Sequence, residues 1–227
     1  MADQGKGMSD LWRRLRFVFV AIVVYRVGTH IPIPGIDPDR LSSLFEQNQG
    51  TILDMFNLFS GGALERMSIF ALNVIPYISS AIIMQLFSNS IPYLQELKKD
   101  GQAGRNQITQ YTRYGTVVLA FIQASALAVT LSGSGLAYAP GAAFFASAVF
   151  SVVAGTVFLM WLGEQISERG IGNGISLIIA TSILTGIPGA IGQALEQSRQ
   201  GDLNILLLLA IAVLAMAVIA VVVFIER

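Results

Sequence analysis

Long apolar segments alternate with polar ones along the chain, and this pattern predicts a bundle of membrane helices. Six apolar segments are each close to the ~20 residues that an α-helix needs to cross a membrane. We place these spans near residues 15–32, 67–88, 112–132, 142–163, 173–193 and 203–225. The two longest connections are residues 33–66 and 89–111. The first is predicted to be an external loop that begins with turn residues and a short helix in PGIDPDRL (34–41), and the second to be a polar cytoplasmic loop.

Residues 51–92 combine two kinds of hydrophobic segment. The segment from Ile52 to Phe59 is apolar, but at about 1.5 Å per residue it reaches well under half of the way across a hydrocarbon core. Gly61–Gly62 ends it, and the segment from Met67 to Phe87 that follows is long enough to span. A short half-helix before a full span is typical of a segment that enters a cavity within the protein. We therefore predict that the half-helix blocks a cavity which the next helix lines.

The composition indicates a membrane protein. Of the 227 residues, 54% are hydrophobic and 12% are charged, whereas soluble domains usually carry about 25% charged residues. The net charge is zero, so bulk charge suggests no nucleic-acid partner. The sequence has no cysteine, which excludes disulfides, thiolate metal sites and thiol catalysis. The first apolar run ends at Arg26 and a proline-containing stretch, which predicts a retained span rather than a cleaved signal.

Basic residues that flank the spans predict the orientation. Ten lie on one predicted side of the membrane, three lie on the other, and Arg26 falls inside the first span. Both termini are therefore predicted to be cytoplasmic. The ten are Lys6, Arg13, Arg14, Arg16, Lys98, Lys99, Arg105, Arg113, Arg169 and Arg227, and the three are Arg40, Arg66 and Arg199.

Two spans carry branched aliphatic residues at four-residue spacing. These are Val74, Ile78 and Ile82 in the second span, and Ile175 and Ile179 in the fifth. The second span also carries several polar residues, which is unusual for a helix that faces lipid. One interpretation is ordinary packing between helices, and the other is that one face meets water. The spacing alone leaves both open.

The sequence offers little for chemistry inside the membrane. The interiors of spans two to six carry no charged residue, whereas ion-coupled transporters place one near the midplane. We interpret Arg26 as structural, satisfied by snorkelling or by a buried partner, and His30 as an interface residue. Glu164, Glu168 and Arg169 fit either a solvated helix end or a partner-binding loop, and the sequence leaves both open. Asn173 is predicted to help cap the fifth span. We therefore predict a conduit or scaffold with no catalytic residue, metal or cofactor.

Four long stretches of the sequence resemble the SecY family, the channel subunits of the bacterial protein-conducting translocon. They are IPIPGID (31–37), MFNLFSGGALERMSIFALNVIPYISSAIIMQL (55–86), QYTRYGT (110–116) and FLMWLGEQISERGIGNGIS (158–176). The resemblance extends from about Trp12 to the end and looks most like the proteobacterial form. It implies an all-α integral membrane protein, the first half of an inverted-repeat channel with a short re-entrant plug helix, in the bacterial inner membrane.

The resemblance also implies roles for particular residues. The implied pore ring of aliphatic side chains consists of Val74, Ile78, Ile175 and Ile179. The implied plug covers about residues 52–66 and includes Ile52, Met55, Phe56, Phe59, Gly61 and Gly62. The implied cytoplasmic loops that meet partners carry Lys98, Lys99, Arg105, Arg113, Glu168 and Arg169. Spans two and three would form one edge of the lateral gate.

The family has ten spans, whereas this sequence ends at Arg227 after the sixth predicted span. The resemblance therefore divides the chain into the N-terminal half (1–195), an external hinge loop (196–202) and the first helix of the second half (203–227). We expect a truncated form that does not make a sealed pore by itself. The implied partners are SecE, SecG, the SecA motor or the ribosome, signal sequences, unfolded polypeptides and the lipid bilayer, with no sequence-specific nucleic-acid binding.

Two other functions stay open at this point. An inverted-repeat secondary transporter also contains broken helices, and it would need a coupling-ion site. A non-conducting membrane scaffold would bind Sec partners without passing a substrate.

Overall fold

The computed structural model describes residues 3–47, 57, 60–199 and 205–226. In these residues the regular structure is helical, apart from two isolated β-bridges, Pro32 with Ser68 and Ile36 with Ala137. The predicted all-α class is confirmed. The eight helices of the described residues are α1 (Asp3–Gly28), α2 (Pro38–Gln47), α3 (Ile75–Ser90), α4 (Pro92–Lys99), α5 (Gly101–Gly133), α6 (Ala142–Arg169), α7 (Gly174–Arg199) and α8 (Ile205–Glu226).

The chain forms two compact units that divide between Ile183 and Leu184, inside α7. The first unit contains α1 to α6 and the beginning of α7, and the second contains the rest of α7 and α8. Because α7 continues to Arg199, residues 196–199 of the predicted hinge loop are helical. Residues 200–204 lie outside the described residues. The division into two channel halves stays a prediction.

Two of the predicted spans stand out by length and composition. Within the described residues, α5 and α6 are both long enough and apolar enough to cross a membrane, and they contain the third and fourth predicted spans. Shorter apolar helical stretches cover Gly174–Gly189 and Val213–Ile225, in the fifth and sixth.

The second span begins later than the sequence predicts. A helix was expected from about residue 67, but residues 61–74 form turns and a bridge, and α3 begins at Ile75. Met67 and Asn73 have φ angles of 41° and 50°, a left-handed conformation that a continuous right-handed helix does not contain. Pro76 then lies in the first turn of α3, where a missing N–H breaks no helical hydrogen bond.

The stretch that follows α1 explains why these turns are stable. The backbone N–H of Ile33 donates to the carbonyl of Met67 at 2.8 Å, and the N–H of Ile69 donates to the carbonyl of Ile31 at 3.0 Å. These long-range bonds satisfy backbone groups that a helix would otherwise pair internally. They also end the first span early, at Gly28 rather than near residue 32.

The predicted polar loop at residues 89–111 is wrong, because most of it is helical. Helix α4 and the first turns of α5 occupy it, and the chain turns between them at Gly101, which has a φ of 69°. Gly104 allows the two helices to touch, since a Cβ there would lie 1.6 Å from the carbonyl oxygen of Leu97. The six predicted loop residues therefore lie on helices: Lys98 and Lys99 on α4, Arg105 and Arg113 on α5, and Glu168 and Arg169 on α6.

The core of the first unit contains a row of stacked aromatic rings. The ring centroids of Tyr25 and Phe70 are 6.0 Å apart, and those of Phe70 and Phe158 are 5.8 Å apart. Helix α6 comes close because of Gly155, where a Cβ would lie 1.9 Å from the carbonyl oxygen of Ile69. The row joins α1, the turns before α3, and α6 into one packed body.

Two helix starts are capped by side chains. The Asp37 carboxylate accepts from the backbone N–H groups of Asp39 and Arg40 at 3.1 and 3.3 Å, which begins the short helix α2. The side-chain oxygen of Asn173 accepts from the N–H groups of Ile175 and Ser176 at 3.0 and 3.3 Å. The predicted cap of the fifth span is therefore confirmed.

Candidate functional site

A cavity of about 680 Å³ opens within the first unit, between α3, α5, α6 and the beginning of α7. One part of its lining is polar and charged, which we call the mouth, and another part is aliphatic, which we call the floor. The mouth consists of Gln85, Asn106, Thr109, Arg113, Glu164, Ser167, Glu168, Asn173 and Ser176, and the floor consists of Ile78, Ala81, Ile82, Ile175 and Ile179, with Tyr77 beside them.

The floor brings together three of the four residues predicted for the pore ring. Ile78 on α3 and both Ile175 and Ile179 on α7 line the cavity and are half-buried. Val74 does not line it: its side chain is 1% exposed and packs in the core with Ile178. The reason is local, because Val74 is the N-cap residue of α3 and lies outside the helical periodicity that places Ile78. The assignment of the four residues to a ring stays a prediction.

A charge pair closes part of the mouth. Arg113 Nε and Nη2 donate to the two carboxylate oxygens of Glu164, each at 2.8 Å. The Glu164 side chain is only 18% exposed, so the interpretation as a solvated helix end is wrong for this residue. It is correct for Glu168, which is exposed one turn further along α6. The ion pair between Arg113 and Glu164 leaves the mouth polar, but the two charges neutralise each other.

The lining combines two chemically different surfaces. The isoleucine floor carries no group that could coordinate an ion, and a narrow aliphatic constriction disfavours water. The polar mouth hydrogen-bonds readily to water. Among the described residues, no three His, Asp or Glu side chains lie close enough together to bind a metal ion.

The described middle of the predicted plug lies buried in the first unit, whereas its last residues, Glu65 and Arg66, are exposed. Ile52, Met55, Phe56 and Phe59 lie outside the described residues, but Asn57 and Ser60 are 9% and 1% exposed. Gly61 and Gly62 have φ angles of 65° and 78°, which glycine adopts without strain. They turn the chain sharply after Ser60, as the sequence predicts for the end of the half-helix.

Helix α1 contacts the predicted plug at Ser60 and Gly61 through two neighbouring residues. Arg26 Nη1 donates to the Gly61 carbonyl at 3.2 Å, so this arginine has a partner inside the protein. The Tyr25 hydroxyl lies 3.3 Å from the Ser60 carbonyl and 2.5 Å from the hydroxyl of Ser182 on α7. Sequence reasoning missed Tyr25 and Ser182. A signal was present, since Ser182 lies on the same helical face as Ile175 and Ile179, seven and three residues earlier.

The fold matches solved structures of protein-conducting channels. A Sec61 chain from a canine ribosome–channel complex of the endoplasmic reticulum superposes with a TM-score of 0.59 at 19% identity, covering 86% of this chain and 43% of that one. A SecY chain from a study of its plug domain superposes with a TM-score of 0.57 at 21% identity, covering 86% and 42%. The apolar helices and this fold define an all-α integral membrane protein.

Sequence comparison then gives the family. The SecY family model matches residues 68–227, and the chain belongs to the SecY family. The protein translocase subunit SecY of Pseudomonas aeruginosa is 60% identical over 234 residues, covering 100% of this chain and 53% of the relative. That of Escherichia coli K12 is 56% identical over 225 residues, covering 97% and 51%. The chain thus spans about half the length of the curated relatives it matches.

Proposed function

We propose that this chain forms half of the wall of a protein-conducting channel in a bacterial inner membrane, through which unfolded polypeptides pass. The observation that carries the proposal is the cavity, which joins a polar mouth to a floor of isoleucines from α3 and α7. Branched aliphatic side chains offer no site for ions, and they deform around an extended chain of any sequence. Membership in a family whose relatives are protein translocase subunits supports this function.

In this proposal, Ile78, Ile175 and Ile179 form the part of the pore ring that faces the passing chain, and Val74 supports it from the core. The segment at about 52–66 is the plug. Its displacement by a signal sequence requires two states that differ by only a few kcal/mol. Residues on α3 and α5 form one edge of a lateral gate, through which membrane proteins leave for the bilayer.

We propose for this chain the partners that the resemblance to the family implies, but we do not assign Arg113 to partner binding. SecE and SecG would complete the complex, and SecA or the ribosome would bind the face that carries the N-terminus, on the cytoplasmic side. Lys98, Lys99 and Arg105 are exposed, and we assign them to that face, where they can attract an acidic partner surface. Arg113 is held by Glu164, so we assign it to the wall of the cavity rather than to partner binding.

A chimera tests the function. This chain replaces the matching half of the Escherichia coli relative in cells depleted of their own subunit, and precursor translocation is measured in inverted membrane vesicles. We expect growth and translocation to be restored. Stable insertion and co-purification with SecE without translocation would contradict the proposal and favour a non-conducting scaffold.

Two matched variants sharpen the test. Replacing Ile78 and Ile179 with tryptophan fills the floor, and it should abolish translocation without preventing insertion. Ile122→Trp changes a side chain on α5 that is 58% exposed, and it should leave translocation intact. Equal activity of the two variants would contradict passage through this cavity.

A further inference from the structure

Three polar side chains meet inside the apolar core beside the cavity floor. Tyr25 on α1, Asn73 in the turn before α3 and Ser182 on α7 are 1%, 3% and 0% exposed. Buried polar groups are unfavourable in such a core unless they are hydrogen-bonded. Their meeting therefore fixes the relative positions of three separate parts of the first unit.

The hydroxyl of Ser182 is the centre of this group. The Tyr25 hydroxyl lies 2.5 Å from the Ser182 hydroxyl, and the Asn73 amide nitrogen donates to the same oxygen at 3.3 Å. The Tyr25 hydroxyl also lies 3.3 Å from the carbonyl of Ser60. Tyr25 thus contacts both α7 and Ser60, a residue of the predicted plug.

Asn73 ties the group to the turns between the plug and α3. Its φ of 50° is left-handed, and asparagine tolerates this conformation better than most residues. Its side-chain bond to Ser182 holds the last turn before α3 against α7. A movement of residues 61–74 therefore disturbs the contact with α7.

We propose that Tyr25, Asn73 and Ser182 are positioning residues that form a buried polar latch, which holds the chain at Ser60 in place and opens before the plug can move. The inference rests on the proposed function, in which Ser60 belongs to the plug at about 52–66. Ser182 shares a helical face with Ile175 and Ile179, so a shift of α7 that widens the floor also separates Ser182 from Tyr25. The latch thereby couples widening of the floor to release of the plug.

A cysteine-labelling experiment tests the latch without requiring transport. The sequence has no cysteine, so Ala63→Cys places a single thiol at a residue that is 0% exposed and shares a core cluster with Tyr25. The whole chain is reconstituted in nanodiscs, where a hydrophilic maleimide reaches both faces, and the labelling rate is measured. Tyr25→Phe and Ser182→Ala should each raise this rate roughly five- to thirtyfold, as expected for the loss of a buried hydrogen bond.

Two controls separate the latch from general destabilisation. Thr181→Val removes the neighbouring hydroxyl on α7, which bonds only to the Leu177 carbonyl of its own helix among the contacts described, at 2.8 Å. This variant should label at the parental rate. A thiol at Ala128, 1% exposed in the other core cluster, should label equally slowly with and without Tyr25→Phe. A general loss of stability would instead expose both thiols.

The double variant decides whether one shared contact is responsible. Because Tyr25 and Ser182 share one hydrogen bond, the rate increase in Tyr25→Phe with Ser182→Ala should be smaller than the product of the two single increases. Labelling of both single variants at the parental rate, or a double variant whose effects multiply, would overturn the latch. If Tyr25→Phe does not fold, Ser182→Ala alone decides.

Precursor translocation through the chimera, measured in parallel, separates the latch from the proposed function. Faster labelling without any channel activity would support the latch and contradict the channel. Normal channel activity with unchanged labelling would support the channel and contradict the latch.

Discussion

Arg113 and Glu164 join α5 to α6 through a two-pronged ion pair at the mouth of the cavity. Arg113 Nε and Nη2 each donate to one carboxylate oxygen of Glu164 at 2.8 Å, and the two side chains are 39% and 18% exposed. Paired geometry of this kind is stronger than a single contact. Because the carboxylate is mostly removed from water, losing its partner leaves a poorly solvated charge.

We predict that Arg113→Gln lowers the free energy of unfolding by about 1–2 kcal/mol, between the values typical of exposed and of buried pairs. Thermal unfolding in detergent measures the change. Arg105→Gln, on the exposed face of the same helix, is the matched control and should have little effect. Combining Arg113→Gln with Glu164→Gln should recover part of the loss. Equal stability of the Arg113 and Arg105 variants would contradict this account of the pair.

Gly155 sets how closely α6 approaches the turns before α3. We predict that Gly155→Ala lowers the free energy of unfolding by about 1–3 kcal/mol, since its methyl group would overlap the Ile69 carbonyl and the chain must shift. Gly133→Ala on α5 has no neighbour within 4 Å and should be neutral or slightly stabilising. Melting temperatures of the two variants in the same detergent test this, and a Gly155 variant as stable as the Gly133 variant would refute it.

The helices were predictable where the length of an apolar run decides the structure. The apolar runs in α5 and α6 predict those helices, and Asn173 predicts the start of α7. The prediction failed at residues 67–74, where a helix was expected but backbone groups of Met67 and Ile69 pair with Ile33 and Ile31. Those partners lie more than thirty residues away, so no local pattern reveals them. The helical region at 92–111 was missed because its polar, glycine-containing sequence is also typical of loops.

The candidate site was predictable in part for the same reason. Four-residue spacing places Ile175 and Ile179 on one face of α7, and both line the cavity. The same spacing is misleading for Val74, because α3 begins only at the next residue. The contact between Tyr25 and Ser182 joins positions 157 residues apart in the chain. Helical periodicity shows which face of its own helix each residue occupies. It does not show which faces of two different helices come into contact.

Asn173 holds the first turn of α7, which carries Ile175 into the floor. We predict that Asn173→Ala costs about 1 kcal/mol, because two backbone N–H groups lose their acceptor. Hydrogen exchange at Ile175 and Ser176 should accelerate. Asn173→Asp keeps the acceptor and should retain slow exchange. Identical exchange in the alanine and aspartate variants would show that the cap does not stabilise this turn.

The isoleucine floor should act as a barrier to ions. In the chimera with the Escherichia coli half, we predict that Ile78→Ser and Ile179→Ser raise the resting ion conductance, since hydroxyl groups stabilise water in the constriction. Ile122→Ser, on an exposed face of α5, should leave the conductance unchanged. Planar-bilayer recordings provide the measurement. A resting ion conductance of the floor variants equal to that of the parent would argue against a seal at these residues.

The most direct test of the channel is to find the path of a polypeptide arrested in transit. A photo-reactive amino acid is placed at position 78, 175 or 179 of the chimera, or at position 122 as the control. We predict that the arrested polypeptide cross-links from the three floor positions and not from 122. Cross-links from position 122 alone, or from none of the floor positions during active translocation, would contradict passage through the cavity.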